Sequence, residues 1–214
     1  MEDIDAIAVL QDPVRRRLYE YVVAQDGAVS RSEAAEAAGV QRTLAAFHLD
    51  KLVGAGLLET ESRRLGGQSG PGAGRPAKLY RRSGAEVQFS VPARDYRTAA
   101  DLLAEVAEVA RLDTALQAAA RREGRAAAQP VKDLAAASAV LAARGYQPCP
   151  DGPVLRLANC PFHVLSQRHP GLVCGMNLAL LEGLLDAAPG LRARMDARPG
   201  LCCVVVENSK TNDH

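Results

Sequence analysis

The stretch Arg42–Glu59, RTLAAFHLDKLVGAGLLE, decides how the N-terminal part of this chain folds. Ala45, Leu49, Leu52 and Val53 fall within one arc of a helical wheel, while Thr43, Phe47 and Asp50 lie opposite. The spacing predicts a helix from Gln41 to about Gly54, buried on the first arc and open on the second. Upstream, Ser30 and Glu33 have the spacing of a capping box, and an Ala-rich segment ends at Gly39, which reads as a short helix and a tight turn. Further back, Asp12-Pro13 is a helix start, and Leu18, Tyr21 and Val22 continue the apolar pattern of a helix over Pro13–Gln25. Downstream, Leu57–Thr60 and Lys78–Arg81 read as strands flanking GGQSGPGAGRP (66–76), an eleven-residue stretch that turn chemistry makes a loop. The order is helix, helix, turn, helix, hairpin.

That order has a physical use. A helix fits the major groove of DNA, and a hairpin tip reaches neighbouring phosphates or the minor groove. Between Ser62 and Arg82 there are six basic residues and no acidic one. A basic loop can be plain solvated surface, but here it coincides with glycines that let backbone approach a phosphate. Candidate DNA contacts are Arg42 and Thr43 at the helix start, Phe47 against a thymine methyl, and Lys51 on the backbone. The hairpin adds Arg63, Arg64, Arg75 and Lys78, with Arg75 suited to a narrow minor groove. His48, at the edge of the buried arc, reads as a hydrogen-bonded structural residue.

Length and composition allow this arrangement without requiring it. The chain has 214 residues, 26 Lys+Arg against 25 Asp+Glu, and 48% hydrophobic residues. One large domain or two small ones fit that length. A net charge of +1 excludes a uniformly basic coat, so any nucleic-acid affinity must reside in local patches. The five cysteines are odd in number and none precedes Cys149, which is not the pattern of a secreted disulfide framework. The N-terminus MEDIDAIAVL is acidic, unlike a signal peptide, and the longest uncharged helical run, Leu134–Ala143, is short of the ~20 residues of a membrane span. A cytoplasmic location away from membranes, with reduced thiols, is expected.

From Asp95 to Arg122, Leu102, Val106, Val109, Leu112 and Leu116 form an apolar stripe on a predicted continuous helix of about seven turns. Either an intramolecular core or a homodimer covers it. GRAAAQP (124–130) reads as a break. Beyond it, Leu134–Ala143 and about Cys174–Leu185 read as helices, and Val154–Leu157 and Leu201–Val206 as strands. The fold class is therefore mainly α with α+β. A winged helix-turn-helix domain covers 1–90, a long dimerisation helix 91–130, and a small cysteine-bearing α+β sensor domain 131–214.

In that last part, NCPFH (159–163) sets Cys160 and His163 three apart beside Pro161. Cys174 follows at the expected helix start, and Cys202-Cys203 at the start of the last strand, where alternation turns only one of the pair toward the others. Soft ligands from a loop, a helix and a strand suit a zinc or iron-sulfur site, with Cys160, His163, Cys174, Cys202 and Cys203 as candidate ligands and Cys149 as a weaker one. Buried structural cysteines are the plain alternative. A thiol-disulfide switch without metal is another, with Cys160–Cys174 the preferred pair. An enzyme using Cys160 as nucleophile and His163 or His169 as base is disfavoured, because no third orienting group or oxyanion turn lies nearby.

DPVRRRLYEYV (12–22), RTLAAFHLDKLVGAGLLE (42–59) and GRPAKLY (74–80) together resemble the winged-helix domain of ArsR-like transcriptional regulators, in the branch whose long wing carries a GRP-x-x-x-Y motif. The resemblance covers about residues 5–82 and implies binding to double-stranded operator DNA as a homodimer. It implies no metal site on the DNA-binding helices, since this part of the chain has no cysteine. NCPFHVLSQRHPGLVCGMN (159–177) and PGLCCVVV (199–206) are similar to SufR-like regulators of iron-sulfur cluster assembly. That implies an iron-sulfur cluster, with zinc as the alternative, held first by Cys160 and Cys174. The interval of thirteen residues between these two matches the SufR pattern, whereas Cys202, 28 residues after Cys174, departs from it.

Overall fold

The computed structural model describes residues 2–25, 27–63, 77–84, 92 and 94–209. The chain divides into two compact units, Met1–Arg94 and Asp95–His214, so the segment expected to be the long helix is grouped with the C-terminal unit.

The first unit holds α1 (Glu2–Val9), α2 (Pro13–Val23), β1 (Val29–Ser30), α3 (Arg31–Ala38), α4 (Arg42–Gly54), β2 (Leu58–Arg63) and β3 (Ala77–Arg82). Local chemistry sets the boundaries. The Asp12 carboxylate accepts from the amides of Val14 and Arg15 at the start of α2. Both bonds of the Ser30–Glu33 capping box are made, and Gly39 ends α3 in the left-handed conformation at φ 65°. Leu18, Val22, Ala45, Leu49 and Leu52 pack together where α2, α3 and α4 meet, and Tyr80 joins them from the antiparallel sheet, ordered β1-β3-β2. The helix α1 was absent from the sequence expectation. Arg64, Arg75 and the loop 66–76 lie outside the described residues.

The second unit opens with α5 (Tyr96–Val109) and α6 (Asp113–Ala126). The continuous helix expected over 95–122 is thus two helices. The chain leaves the first at Ala110 and passes through Arg111, whose φ of 53° is left-handed, a conformation costing a non-glycine residue about 1–2 kcal/mol. Packing of α6 against α9 (Pro170–Leu184) compensates. Gly124 and Gly183 bring these helices into backbone contact so close that a methyl on either would overlap the other helix's main chain. Two ion pairs, Arg121–Glu182 and Arg125–Asp186, flank the crossing. Gly124, expected to break the chain, instead lies buried inside α6 as a packing residue.

The remaining elements are α7 (Leu134–Ala142), β4 (Pro148–Asp151), β5 (Val154–Leu157), α8 (His163–Arg168), β6 (Leu191–Met195) and β7 (Val204–Asn208). They complete an antiparallel sheet of order β4-β5-β7-β6. One sheet face sends Leu155, Leu157, Val204 and Val206 into a core with Ala137, Leu141, Leu181 and Leu184. The opposite face carries a charged network. Arg156, buried, pairs with Asp151 at 2.7 Å and Asp196 at 2.8 Å, and Glu207, also buried, pairs with Arg192 and Arg194.

Candidate functional sites

On α4 the two arcs divide as the spacing predicts. Ala45, Leu49 and Leu52 are fully buried, while Arg42, Thr43, Phe47 and Lys51 are exposed, Phe47 at 55%. The Lys51 ammonium stands 5.8 Å from the centre of the Phe47 ring, so cation and apolar surface form one patch. Gln41 makes no side-chain cap at the start of α4, leaving the first amides open to an anion. His48 is buried as a structural residue, but the expected hydrogen bond is missing: its Nδ1 has no partner among the described residues.

The hairpin base is less basic than its sequence window suggests. Lys78 Nζ lies 2.6 Å from Asp50 Oδ1, and the Tyr80 hydroxyl donates to the same oxygen at 3.0 Å. Burial pushes the Asp50 carboxyl up, but these two donors outweigh it and hold it below the ordinary carboxylate range. Asp50 therefore ties β3 to α4, and Lys78 is an anchor of the hairpin. Arg81 pairs with Glu59 at 3.0 Å, and Arg63 lies 4.0 Å from Glu61. Glu59 and Glu61 sit just outside the window counted in the sequence, and strand pairing sets them beside Arg81.

In the second unit the structure brings four of the five candidate ligands together. Cys160 follows β5, in a turn closed by the His163 amide donating to the Cys160 carbonyl. Cys202 and Cys203 precede β7, and the Cys202 amide donates to the Leu157 carbonyl at 2.9 Å. Cys174 lies in the second turn of α9, not at the helix start, because Pro170 begins the helix. The side chains form a chain of contacts, Cys160 to Cys202, Cys202 to Cys203, and Cys203 to Cys174. Strand alternation was expected to admit only one of the vicinal pair. It does not apply, since both residues lie in the loop before the strand. None of the five cysteines is in a disulfide.

Cys202 accepts from its neighbours. Hydrogen bonds from Cys160 first and Cys203 second lower its pKa to about 3, against burial, and the Val204 amide and Asn177 act in the same direction. Cys160 and Cys203, as donors to Cys202 in buried surroundings, are pushed up. The Asn177 amide donates to the Cys202 sulfur at 3.3 Å and accepts from the Tyr146 hydroxyl at 2.6 Å. Burial pushes the Tyr146 phenol up, keeping it a donor. Four soft donors suit a zinc or iron-sulfur centre in ligand type. The sulfurs are strung in a row, and no three His, Cys, Asp or Glu groups among the described residues stand around a common point.

His163 is apart from this cluster. It is exposed at the start of α8, with Nε2 3.0 Å from the Gln167 amide nitrogen. Cys149 lies in β4 in register with Arg156, on the sheet face away from Leu155 and Leu157. His169 bridges to α5, with Nδ1 2.7 Å from Glu108 and Nε2 3.7 Å from Asp101. Tyr146 and Asn177 were not among the sequence candidates. Their signal was a polar residue at a core position of the apolar helix GLVCGMNLALL.

The helix-turn-helix domain family matches residues 10–61, from just before α2 into β2. No curated protein and no solved structure matches the chain. The match supports a helix-turn-helix over these residues, an element typical of DNA-binding transcription regulators. No described helix is long and apolar enough to cross a membrane.

Proposed function

We propose that this protein is a cytoplasmic, homodimeric transcriptional repressor whose operator affinity is controlled by an iron-sulfur or zinc centre held by Cys160, Cys174, Cys202 and Cys203. The observation that supports the reading is that Cys160, Cys174, Cys202 and Cys203, from three separate chain segments, adjoin one another in a row, Cys160 and Cys202 buried and Cys174 and Cys203 half-buried. The winged helix-turn-helix would read the operator through Arg42, Thr43, Phe47 and Lys51, with Arg63, Arg64 and Arg75 on the wing. Homodimerisation is supported by the stripe on α5 and its exit. Leu102, Val106, Val109 and Leu112 are all exposed, Val109 at 81%, which is costly for a helix without a partner. A second copy facing the same stripe would set the spacing of the two recognition helices.

Protein purified without air tests this reading by its absorption spectrum and metal content. It predicts thiolate-to-iron charge transfer, or about one tightly held zinc per chain. Neither iron nor zinc in stoichiometric amount contradicts it. A second reading, a thiol-disulfide switch, is favoured by the direct contact of Cys160 with Cys202, which replaces the Cys160–Cys174 pair expected from sequence. In that reading the two thiols give up two protons and two electrons to a peroxide, forming the disulfide while the peroxide is reduced to water and an alcohol. Mass spectrometry of metal-free protein after mild peroxide treatment separates the two.

A further inference from the structure

Asp50 sits where an acid should be unwelcome. Thr43, Phe47 and Asp50 are spaced four and three residues apart, so they share the exposed face of α4, opposite the buried Leu49 and Leu52. On a helix that approaches DNA, a free carboxylate one turn beyond Phe47 would repel the phosphates. The structure directs that charge to β3 instead. Lys78 Nζ donates to Asp50 Oδ1 at 2.6 Å, and the Tyr80 hydroxyl donates to the same oxygen at 3.0 Å. Lys78 and Tyr80 are two residues apart on β3, so both lie on one side of the sheet, and the Lys78 ammonium stands 5.2 Å from the centre of the Tyr80 ring. The strand is the middle one, with Tyr80 in register with Val29 on β1 and Thr60 on β2, so a bond to Tyr80 holds the sheet as a whole.

Packing does not explain the Tyr80 hydroxyl. The residue is 1% exposed and belongs to the core with Leu18, Leu49 and Leu52. A phenylalanine would fill the same space without an O–H that needs a partner. The hydroxyl thus links the rigid core to the outer face of α4.

We propose that Asp50 and Tyr80 are positioning residues that set DNA specificity without touching a base. They hold the hairpin strands β2 and β3 at one distance and angle from the outer face of α4. Bases met by Thr43 and Phe47 and the flanking duplex met by the hairpin are then read together, at one fixed spacing. The inference rests on the DNA-binding reading above and is independent of the thiol cluster.

The test uses the full-length protein and the duplex it enriches from a random-sequence pool. Chemical interference on that duplex separates the major-groove contacts from the flanking ones, and a second duplex carries an extra base pair between the two sets. Wild-type protein is expected to bind the second duplex about tenfold more weakly, as for one mismatched base pair. In Asp50→Ala the ratio of the two affinities is expected to fall close to one. Tyr80→Phe keeps the ring and removes only the hydroxyl, so its ratio should lie between. A purely structural role would lower the melting temperature and weaken binding to both duplexes alike. The ratio would then keep its wild-type value, and that result overturns the inference. So does a wild type that binds the two duplexes equally. Should Asp50→Ala fail to fold, an unchanged ratio in Tyr80→Phe is sufficient to overturn it. Wild-type protein that enriches no duplex would instead remove the DNA-binding reading, and this inference with it.

Discussion

The two units bury different kinds of side chain. In Met1–Arg94 the core is Leu18, Val22, Leu49 and Leu52 with the Tyr80 ring, and, His48 apart, the polar groups named above lie at the surface. In Asp95–His214 the core encloses Cys160, Cys202, Tyr146 and Asn177, and the sheet buries Arg156 and Glu207 on its other face. Apolar burial is non-directional and scales with area, about 25 cal/mol per Å². Buried polar groups stabilise only when each finds its partner. The first unit thus exposes its candidate contacts, whereas the second encloses its candidate ligands.

The largest effect expected from this contrast is at the α6–α9 crossing. Gly183→Ala pushes a methyl into the Arg121 carbonyl and the Arg125 amide, main-chain atoms that cannot swing aside. It should destabilise the second unit by about 3 kcal/mol, an overpacking cost at the upper end of the usual range. Calorimetry should show the transition of the second unit falling while that of the first stays in place. Equal falls in both would break the division into separate cores.

A smaller effect depends on pH. Burial pushes the Glu207 carboxyl up, but the guanidiniums of Arg194 and Arg192 outweigh it and hold it below the ordinary glutamate range. Asp151 and Asp196 are lowered in the same way, first by Arg156. A folded pKa below the unfolded one means the stabilisation is complete above the ordinary carboxylate range and is lost as pH falls through the lowered folded value. Melting temperature measured on the acid side should therefore drop steeply in the wild type. In Glu207→Gln it should start lower and fall less.

The smallest effect belongs to the first unit. Asp50→Ala breaks an exposed pair with Lys78, worth about 1 kcal/mol or less, and frees the ammonium. Duplex DNA binding measured against salt should steepen, by at most about 0.9 in log–log slope for one added phosphate contact. An unchanged slope would mean that Lys78 stays out of reach of DNA.

The first unit was legible because its signals are local and agree with its packing. Asp12-Pro13, the Ser30–Glu33 box, Gly39 and the arc of Ala45, Leu49 and Leu52 each act within a turn or two. Besides α1 and the missing His48 hydrogen bond, what failed there was a matter of pairing across strands, as when Glu59 meets Arg81. The second unit depends on long-range contacts. Ala110–Leu112 contains neither Gly nor Pro, so nothing in it announces the break before α6. PCPD (148–151) reads as loop because of its prolines, yet it forms β4, and β4 is an edge strand, where proline is tolerated. The thiol cluster was legible as residue types but not as a set. His163 was expected in it and stands outside, while Asn177 and Tyr146 adjoin it and were not among the candidates.

The central claim is that the enclosed thiols govern the exposed helix α4. The most direct measurement is the affinity of anaerobically purified protein for a fluorescent operator duplex, before and after the centre is removed by a chelator, alongside Cys202→Ser. The account predicts a change of at least tenfold on removal, equivalent to about 1.4 kcal/mol, with Cys202→Ser matching the stripped protein and no longer responding to chelation. Identical affinities for loaded, stripped and Cys202→Ser protein, in the same salt, would contradict it.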